Sequence, residues 1–257
     1  MTKSTEKLFN RIKRLTGQAI GDFDLIEDGD RILVGVSGGK DSYILLHILE
    51  ALRKKAPVKF ELIAVNIDSG FPEYQKGQIE QHLQHYKFNY VMARTNGYQI
   101  IEEKLKPGTS YCAFCARLRR GAIYTQADKL KCNKIALGHH LDDFIETLLL
   151  NQFYGGTLAA MNAKLLADNG KHTIIRPLVY VEEADIQRYS DKMVFPIVDC
   201  SCPVAGAEEQ KRHEIKVLIT ALAEKIPEIR HSMISAIGNV HPRHLLDRQL
   251  IRGDKKL

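Results

Sequence analysis

Arg31-Ile32-Leu33-Val34-Gly35-Val36-Ser37-Gly38-Gly39-Lys40-Asp41-Ser42 is the stretch on which the reading of this chain turns. Its first half is a short apolar, β-branched run that follows a turn at Gly29, and its second half is a glycine-rich loop. From Tyr43 to Leu52 the apolar residues recur at helical period. Strand, loop and helix in that order bring backbone N–H groups and a helix dipole to one point, an arrangement that binds anions. Paired glycines let the backbone approach closely, Lys40 supplies a point charge, and Ser37 and Ser42 supply hydroxyl donors. The loop is therefore expected to bind phosphate. The spacing of a glycine, four residues, then Gly-Lys is absent, so simple hydrolysis of a γ-phosphate is disfavoured.

Outward from the loop the alternation repeats. Phe60 to Ile67, Tyr90 to Ala93 and Lys134 to Leu137 read as strands; Tyr74 to Tyr86, Ala116 to Lys129 and Asp142 to Phe153 read as helices. This is an α/β pattern, a parallel sheet covered on both faces, with ligands beyond the carboxyl ends of the strands. Ser4 to about Ala19 carries a helical stripe at Leu8, Phe9, Ile12, Leu15 and Ala19. After Gly155-Gly156 the pattern loosens to a strand at Thr173 to Ile175, a helix near Glu182 to Asp191, a cysteine-bearing loop at Asp199 to Pro203, and helices at Glu208 to Ile226 and Pro227 to Ile237. The expected division is an N-terminal helix at 1–22, a nucleotide domain at 23–205 and a helical C-terminal region at 206–257.

The 257 residues suffice for one full core with a small appendage. A 44% hydrophobic fraction with 26% charged residues excludes disordered and fibrous classes. The N-terminus lacks a secretory stretch and no window approaches a bilayer span, so a cytoplasmic protein without membrane insertion is expected. Thirty-seven basic against 31 acidic residues, a net charge of +6, leans toward a polyanionic partner. The five cysteines form two close pairs and a leftover, Cys132, which suggests metal or redox chemistry at the pairs and an ordinary buried thiol at Cys132.

Two further constellations carry chemistry. Gly138-His139-His140-Leu141-Asp142-Asp143 lies at a strand-to-helix junction where imidazoles and carboxylates can meet nucleotide or magnesium, although Asp142 is also a fair helix cap. Asp68 ends a comparable strand and can equally be a plain turn residue of Asp68-Ser69-Gly70. Cys112-Ala113-Phe114-Cys115, followed by Arg117-Leu118-Arg119-Arg120-Gly121, offers two thiolates three apart with guanidinium groups behind them. Asp199-Cys200-Ser201-Cys202-Pro203 offers a third thiolate, one too few for a closed zinc site. Three soft ligands suit a 4Fe-4S cluster with one open iron, and an open iron beside a phosphate-binding loop points to sulfur delivery. A zinc site and a redox pair stay open on these residues alone.

Ser37 to Ser42 resembles the PP-loop of ATP pyrophosphatases, which bind pyrophosphate there and transfer AMP to a carbonyl oxygen. That fold is adenine nucleotide alpha hydrolase-like and Rossmann-like. The ordered set of Ser37 to Ser42, Cys112/Cys115 with Arg117 to Gly121, Ala136 to His140, Asn151 to Gly156, Gly170-Lys171-His172, Ile175 to Leu178 and Phe195-Pro196-Ile197 resembles the TtcA family of tRNA 2-thiocytidine synthetases. The resemblance implies a homodimer that uses ATP, Mg2+ and a 4Fe-4S cluster to replace the C2 oxygen of cytidine 32 in the tRNA anticodon loop with sulfur from a cysteine desulfurase. Its catalytic set would be Cys112, Cys115, Lys40, Asp41 and Asp142. Ser37, Gly38, Gly39, Lys40, Asp41, Ser42, Asp68, Gly138, His139, His140 and Asp143 would hold the nucleotide.

Cys112, Cys115 and Cys202, or Cys200 in its place, would hold the cluster, because Pro203 stands where an ungapped alignment puts the family's cysteine. Uridine thiolase, lysidine synthetase and a non-catalytic nucleotide- or RNA-binding redox sensor are the alternatives. Arg117, Arg119 and Arg120, the N-terminal Lys7, Arg11, Lys13 and Arg14, and His241 to His244 are the expected RNA contacts, each also readable as a solvated face.

Overall fold

Ile32, Leu33 and Val34 are all fully buried, and they alternate between two cores. Ile32 and Val34 join a large cluster with Tyr43, Ile44 and Ile48, whereas Leu33 joins Ile63, Val65, Ala127 and Ile135. A strand that is apolar on both faces needs helices on both, which is the requirement of a parallel sheet. The computed structural model, which describes residues 2–105, 110–198 and 207–247, meets that requirement.

The first part of the chain runs α1 (Lys3–Asp22), β1 (Arg31–Gly35), α2 (Lys40–Arg53), β2 (Glu61–Asp68), α3 (Lys76–His85), β3 (Tyr90–Arg94), α4 (Gly97–Lys104) and α5 (Tyr111–Lys129). It continues through β4 (Lys134–Ala136), α6 (Leu141–Gly155), β5 (Lys164–Leu166), β6 (Thr173–Ile175), α7 (Glu183–Met193), α8 (Ala207–Lys225) and α9 (Ile229–Gly238). The sheet order is β3-β2-β1-β4-β6-β5. All neighbours are parallel except β5, which pairs antiparallel with β6.

The expected alternation is present, with two additions and one shift. Helix α4 and strand β5 carry no clear period: α4 buries only Gly97 and Ile101, and all three residues of β5 are exposed. Helix α5 begins at Tyr111 rather than Ala116, because Ser110 caps it by accepting the Ala113 N–H at 3.2 Å. Cys112 and Cys115 therefore sit on the first turns of a helix and not in the loop before it.

Strand order reverses between β1 and β4, the switch point at which open α/β sheets leave a crevice. Helices α8 and α9 lie over that edge. Ile215 and Ile219 of α8 pack on Leu141, Ile145 and Leu149 of α6, with Met233 and Ile234 of α9 against them. Cys132 is buried as expected, and burial raises its thiol pKa. Among the described residues no helix is long and apolar enough to cross a membrane.

Candidate active site

The loop after β1 is tied to itself. Ser42 Oγ accepts the Ser37 N–H at 3.2 Å and donates to the Gly39 carbonyl at 2.8 Å, while Ser37 Oγ accepts the Gly39 N–H at 3.3 Å. Both hydroxyls expected to donate to phosphate thus also shape the loop that would receive it. Gly38 has φ of +93°, and a Cβ there would stand 2.9 Å from Ile79 Cδ1 and 3.0 Å from Val198 Cβ. Only glycine meets both the backbone angle and the space.

The loop after β4 abuts this one, as the switch point requires. A Cβ on Gly138 would lie 3.0 Å from both the carbonyl carbon and oxygen of Asp41, and 3.1 Å from Ser42 N. His140 Nε2 lies 3.8 Å from Asp41 Oδ1. His139 accepts a hydrogen bond at Nδ1 from Arg176 Nε at 3.3 Å, and burial, aided by Arg176, pushes its pKa down to about 4 against the pull of Asp143. Near neutral pH His139 is therefore an uncharged imidazole.

The two aspartates of this element do different work. Asp143 caps α6 by accepting the His140 N–H at 2.9 Å. Asp142 is not the cap of its own helix. Its Oδ2 accepts the Glu183 N–H at 2.8 Å and its Oδ1 accepts Arg230 Nε at 2.8 Å, so it joins α6 to the first turn of α7 and to α9. Asp68, at the end of β2, is a turn residue and a charge partner at once: Oδ1 accepts the Gly70 N–H at 2.8 Å and Oδ2 pairs with Lys76 Nζ at 3.0 Å.

Lys40 reaches Glu183 Oε1 at 3.0 Å and Asp41 Oδ1 at 3.4 Å. Burial alone would lower the lysine pKa; the two carboxylates outweigh it and the net shift is upward, keeping Lys40 cationic. Burial raises the Asp41 pKa, with Asp143 and Glu183 adding to it and His140 and Lys40 opposing. Burial also acts to raise Glu183, but hydrogen bonds from Lys216 and Lys40 prevail and hold it down at about 2.

Glu183 escaped the sequence reading because an acidic residue in the first turn of a helix satisfies the helix dipole without any further role. The cations of α8 and α9 escaped it for a similar reason: Arg212, Lys216 and Arg230 read as a solvated face. In the structure Arg212 Nη1 pairs with Glu146 Oε2 at 3.1 Å, Lys216 Nζ with Glu183 Oε2 at 2.5 Å, and Arg230 with Asp142.

Helix α5 runs from the carboxyl edge of the sheet back toward β4, so its first turns share the edge that carries both loops. Cys112 and Cys115 stand one turn apart there and are partly exposed. Two soft donors at that spacing fit one metal or cluster. Cys200, Cys202 and Pro203 lie outside the described residues, and among those described no three His, Cys, Asp or Glu side chains are grouped so as to hold a metal ion. Of the expected RNA contacts, Arg120 Nη1 lies 3.5 Å from Asp168 Oδ2, while Arg11 Nε lies 3.1 Å from the buried Asp185 and ties α1 to α7.

Comparison with known proteins agrees with this geometry. The PP-loop domain family matches residues 5–198. A tRNA-cytidine(32) 2-sulfurtransferase of Syntrophotalea carbinolica is 60% identical over 245 residues, 95% of each chain, and that of Geobacter sulfurreducens is 56% identical over 244 residues, again 95% of each. Among solved structures, the U34-tRNA thiolase of Methanococcus maripaludis with its 4Fe-4S cluster aligns over 93% of this chain and 81% of its own, with TM-score 0.75 at 20% identity. The ammonia-dependent NAD synthetase of Campylobacter jejuni aligns over 95% of each chain at 13% identity, with TM-score 0.50. At those identities the two likenesses establish the fold, and the two sulfurtransferases establish the kinship: this chain belongs to the tRNA-cytidine(32) 2-sulfurtransferase family of PP-loop proteins.

Proposed function

We propose that this chain is an ATP-dependent tRNA sulfurtransferase that converts cytidine 32 of the anticodon loop to 2-thiocytidine. The observation that carries the reading is the packing of Gly138 against Asp41 and Ser42, which unites the phosphate loop and the His139-His140-Asp142-Asp143 element at the switch point. That corner, in a chain with 60% identity to a cytidine sulfurtransferase, supports reading it as the nucleotide site.

The chemistry runs in two displacements. The C2 carbonyl oxygen attacks the α-phosphorus of ATP, the bond to the β-phosphate oxygen breaks, and pyrophosphate leaves. A sulfur nucleophile at the oxidation level of sulfide then adds to C2, and AMP departs with the former carbonyl oxygen. The protein's part is electrostatic: the N–H groups of Gly38, Lys40 and Asp41, the Lys40 ammonium and the α2 dipole meet charge that builds on the pyrophosphate, while those of Ser37, Gly39 and Ser42 bond within the loop. Gly38 and Gly138 fix the course of the two loops and Gly39 opens the helix, Asp68 and the neutral His139 are the further nucleotide contacts, and His140 stands beside Asp41. Asp142 enters as a positioning residue, since both of its oxygens hold neighbouring elements.

Mg2+ accompanies the nucleotide in this reading. It would keep waters and phosphate oxygens as ligands and need only one or two carboxylates, for which Asp41 and Asp143 are the candidates. Cys112 and Cys115, with Cys202 or Cys200, hold the 4Fe-4S cluster; when bound, it supplies an open iron at which inorganic sulfur can be held. The PP-loop domain that carries the cysteine site spans 23–205, between the helix of 1–22 and the helical region of 206–257. A cysteine desulfurase is the sulfur source, with an external dithiol reductant supplying the two electrons that bring its persulfide sulfur to the sulfide level; the cytoplasm is the compartment, and the chain acts as a homodimer. Exposed Phe153, Tyr154, Leu158, Leu165 and Leu166, on α6, on β5 and between them, support self-association.

Mass spectrometry of tRNA nucleosides from a deletion strain tests the proposal. We expect 2-thiocytidine to vanish, 2-thiouridine to persist, and complementation to restore the former. Unchanged 2-thiocytidine would sink the reading, and loss of 2-thiouridine alone would move it to the uridine thiolases.

A further inference from the structure

The PP-loop family match ends at residue 198, yet three cations from beyond it return to the nucleotide corner. Two of them lock carboxylates on α6: Arg212 holds Glu146 and Arg230 holds Asp142. Lys216 differs. Its partner Glu183 is also the partner of Lys40, the cation of the phosphate loop.

Glu183 gives one oxygen to each ammonium, Oε1 to Lys40 at 3.0 Å and Oε2 to Lys216 at 2.5 Å. Its backbone is anchored independently, because its N–H donates to Asp142 Oδ2 at 2.8 Å. The carboxylate is thus a fixed bridge that holds two lysines of different elements side by side. The Lys216 side chain is 49% exposed, so an ammonium with three donors can meet Glu183 and a ligand together. A leaving pyrophosphate carries more charge than one ammonium can match, and Lys40 is the only lysine or arginine in the phosphate loop itself.

We propose that Lys216 is a second pyrophosphate-binding cation, and that Glu183 is the positioning residue that holds it beside Lys40. This rests on the reading of Ser37 to Ser42 as the pyrophosphate site. The C-terminal helices then complete the nucleotide site in addition to covering it.

The test is calorimetric titration of inorganic pyrophosphate into the full chain and its variants, with thermal midpoints measured alongside. Lys216→Met is expected to weaken binding about tenfold, the size of one lost charge-assisted contact. Lys216→Arg is expected to retain affinity within about threefold, since charge is preserved. Lys225→Met, on the last turn of the same helix, is expected to change nothing. In a Glu183→Gln background the further loss from Lys216→Met is expected to shrink below about threefold, because an unheld lysine has less to lose. If Lys216→Met lowers the thermal midpoint, Lys216→Gln replaces it with the same expected loss.

Wild-type affinity in both Lys216→Met and Lys216→Gln overturns the inference, as does a Lys216→Arg variant as weak as Lys216→Met. Failure of the unsubstituted chain to bind pyrophosphate overturns the phosphate-loop reading itself, and the inference falls with it.

Discussion

The two sides of the nucleotide corner are built in opposite ways. The phosphate loop is local: its hydrogen bonds join residues two to five apart, and a glycine with φ of +93° sets its path. The cover over it is long-range: Lys40 meets Glu183 from 143 residues away, Arg230 meets Asp142 from 88, and Arg212 meets Glu146 from 66. A local loop is specified by backbone geometry and fails when that geometry is violated. A long-range cover is specified by packing and charge, and each member can be weakened separately.

The contrast is sharpest at the loop. Lys40→Met removes the charge that meets the departing pyrophosphate, and we expect kcat/KM to fall about 10²- to 10³-fold, read by pyrophosphate release. Gly138→Ala pushes a methyl into the backbone of Asp41, where nothing can rotate away. We expect an activity loss of about 10²-fold with a stability cost of about 1–3 kcal/mol. A Gly138→Ala protein with full activity would show that the two loops do not depend on each other's position.

Effects on the cover should be smaller. Arg230→Met leaves the nearly buried Asp142 with one oxygen unpaired; because the arginine is itself about one-quarter exposed, a cost of about 1–2 kcal/mol is expected in thermal or denaturant melts. The pair of Arg53 and Glu50 within α2, an i,i+3 contact whose arginine is 41% exposed, sets the floor. Glu50→Gln should move stability by no more than about 0.5 kcal/mol. A larger effect there than at Arg230 would reverse the ranking.

Acid tests a third region. Between α2 and α3, His47 and His82 share a hydrogen bond of 2.9 Å among Tyr43, Tyr86 and Phe195. Burial, and for His47 the neighbouring His82, pushes their pKa values down to about 3 and about 4 from an ordinary 6.5. Between those limits the unfolded chain binds protons that the folded chain refuses, so stability is full above about pH 6.5 and declines as pH falls toward 4. Chemical denaturation at stepped pH should show that slope, and His82→Gln should flatten it. A flat profile in the unsubstituted protein would mean that the pair is not buried neutral in solution.

Most strands and helices were legible because two-sided burial writes continuous apolar runs, as in Ile32 to Val34, and helices write a 3.6-residue period. Helix α4 and strand β5 were not, since one buries two residues and the other none. The loop residues were legible because glycine, lysine and serine carry their chemistry in their types. Glu183, Lys216 and Arg230 were not, because an acidic first turn and a basic helix face look the same whether solvated or engaged.

The sequence by itself determined the alternating α/β frame, the phosphate loop, the cysteine pair of α5 and the kinship, since all are written in contiguous residues and their order. The tertiary structure decided which charges meet. Asp142 reads as a catalytic carboxylate or a helix cap and also serves as a clasp between helices; Lys216, on a basic helix face, shares a carboxylate with Lys40. The physical reason is range: backbone preference acts over a few residues, whereas an ion pair forms only when packing delivers two distant helices to the same place.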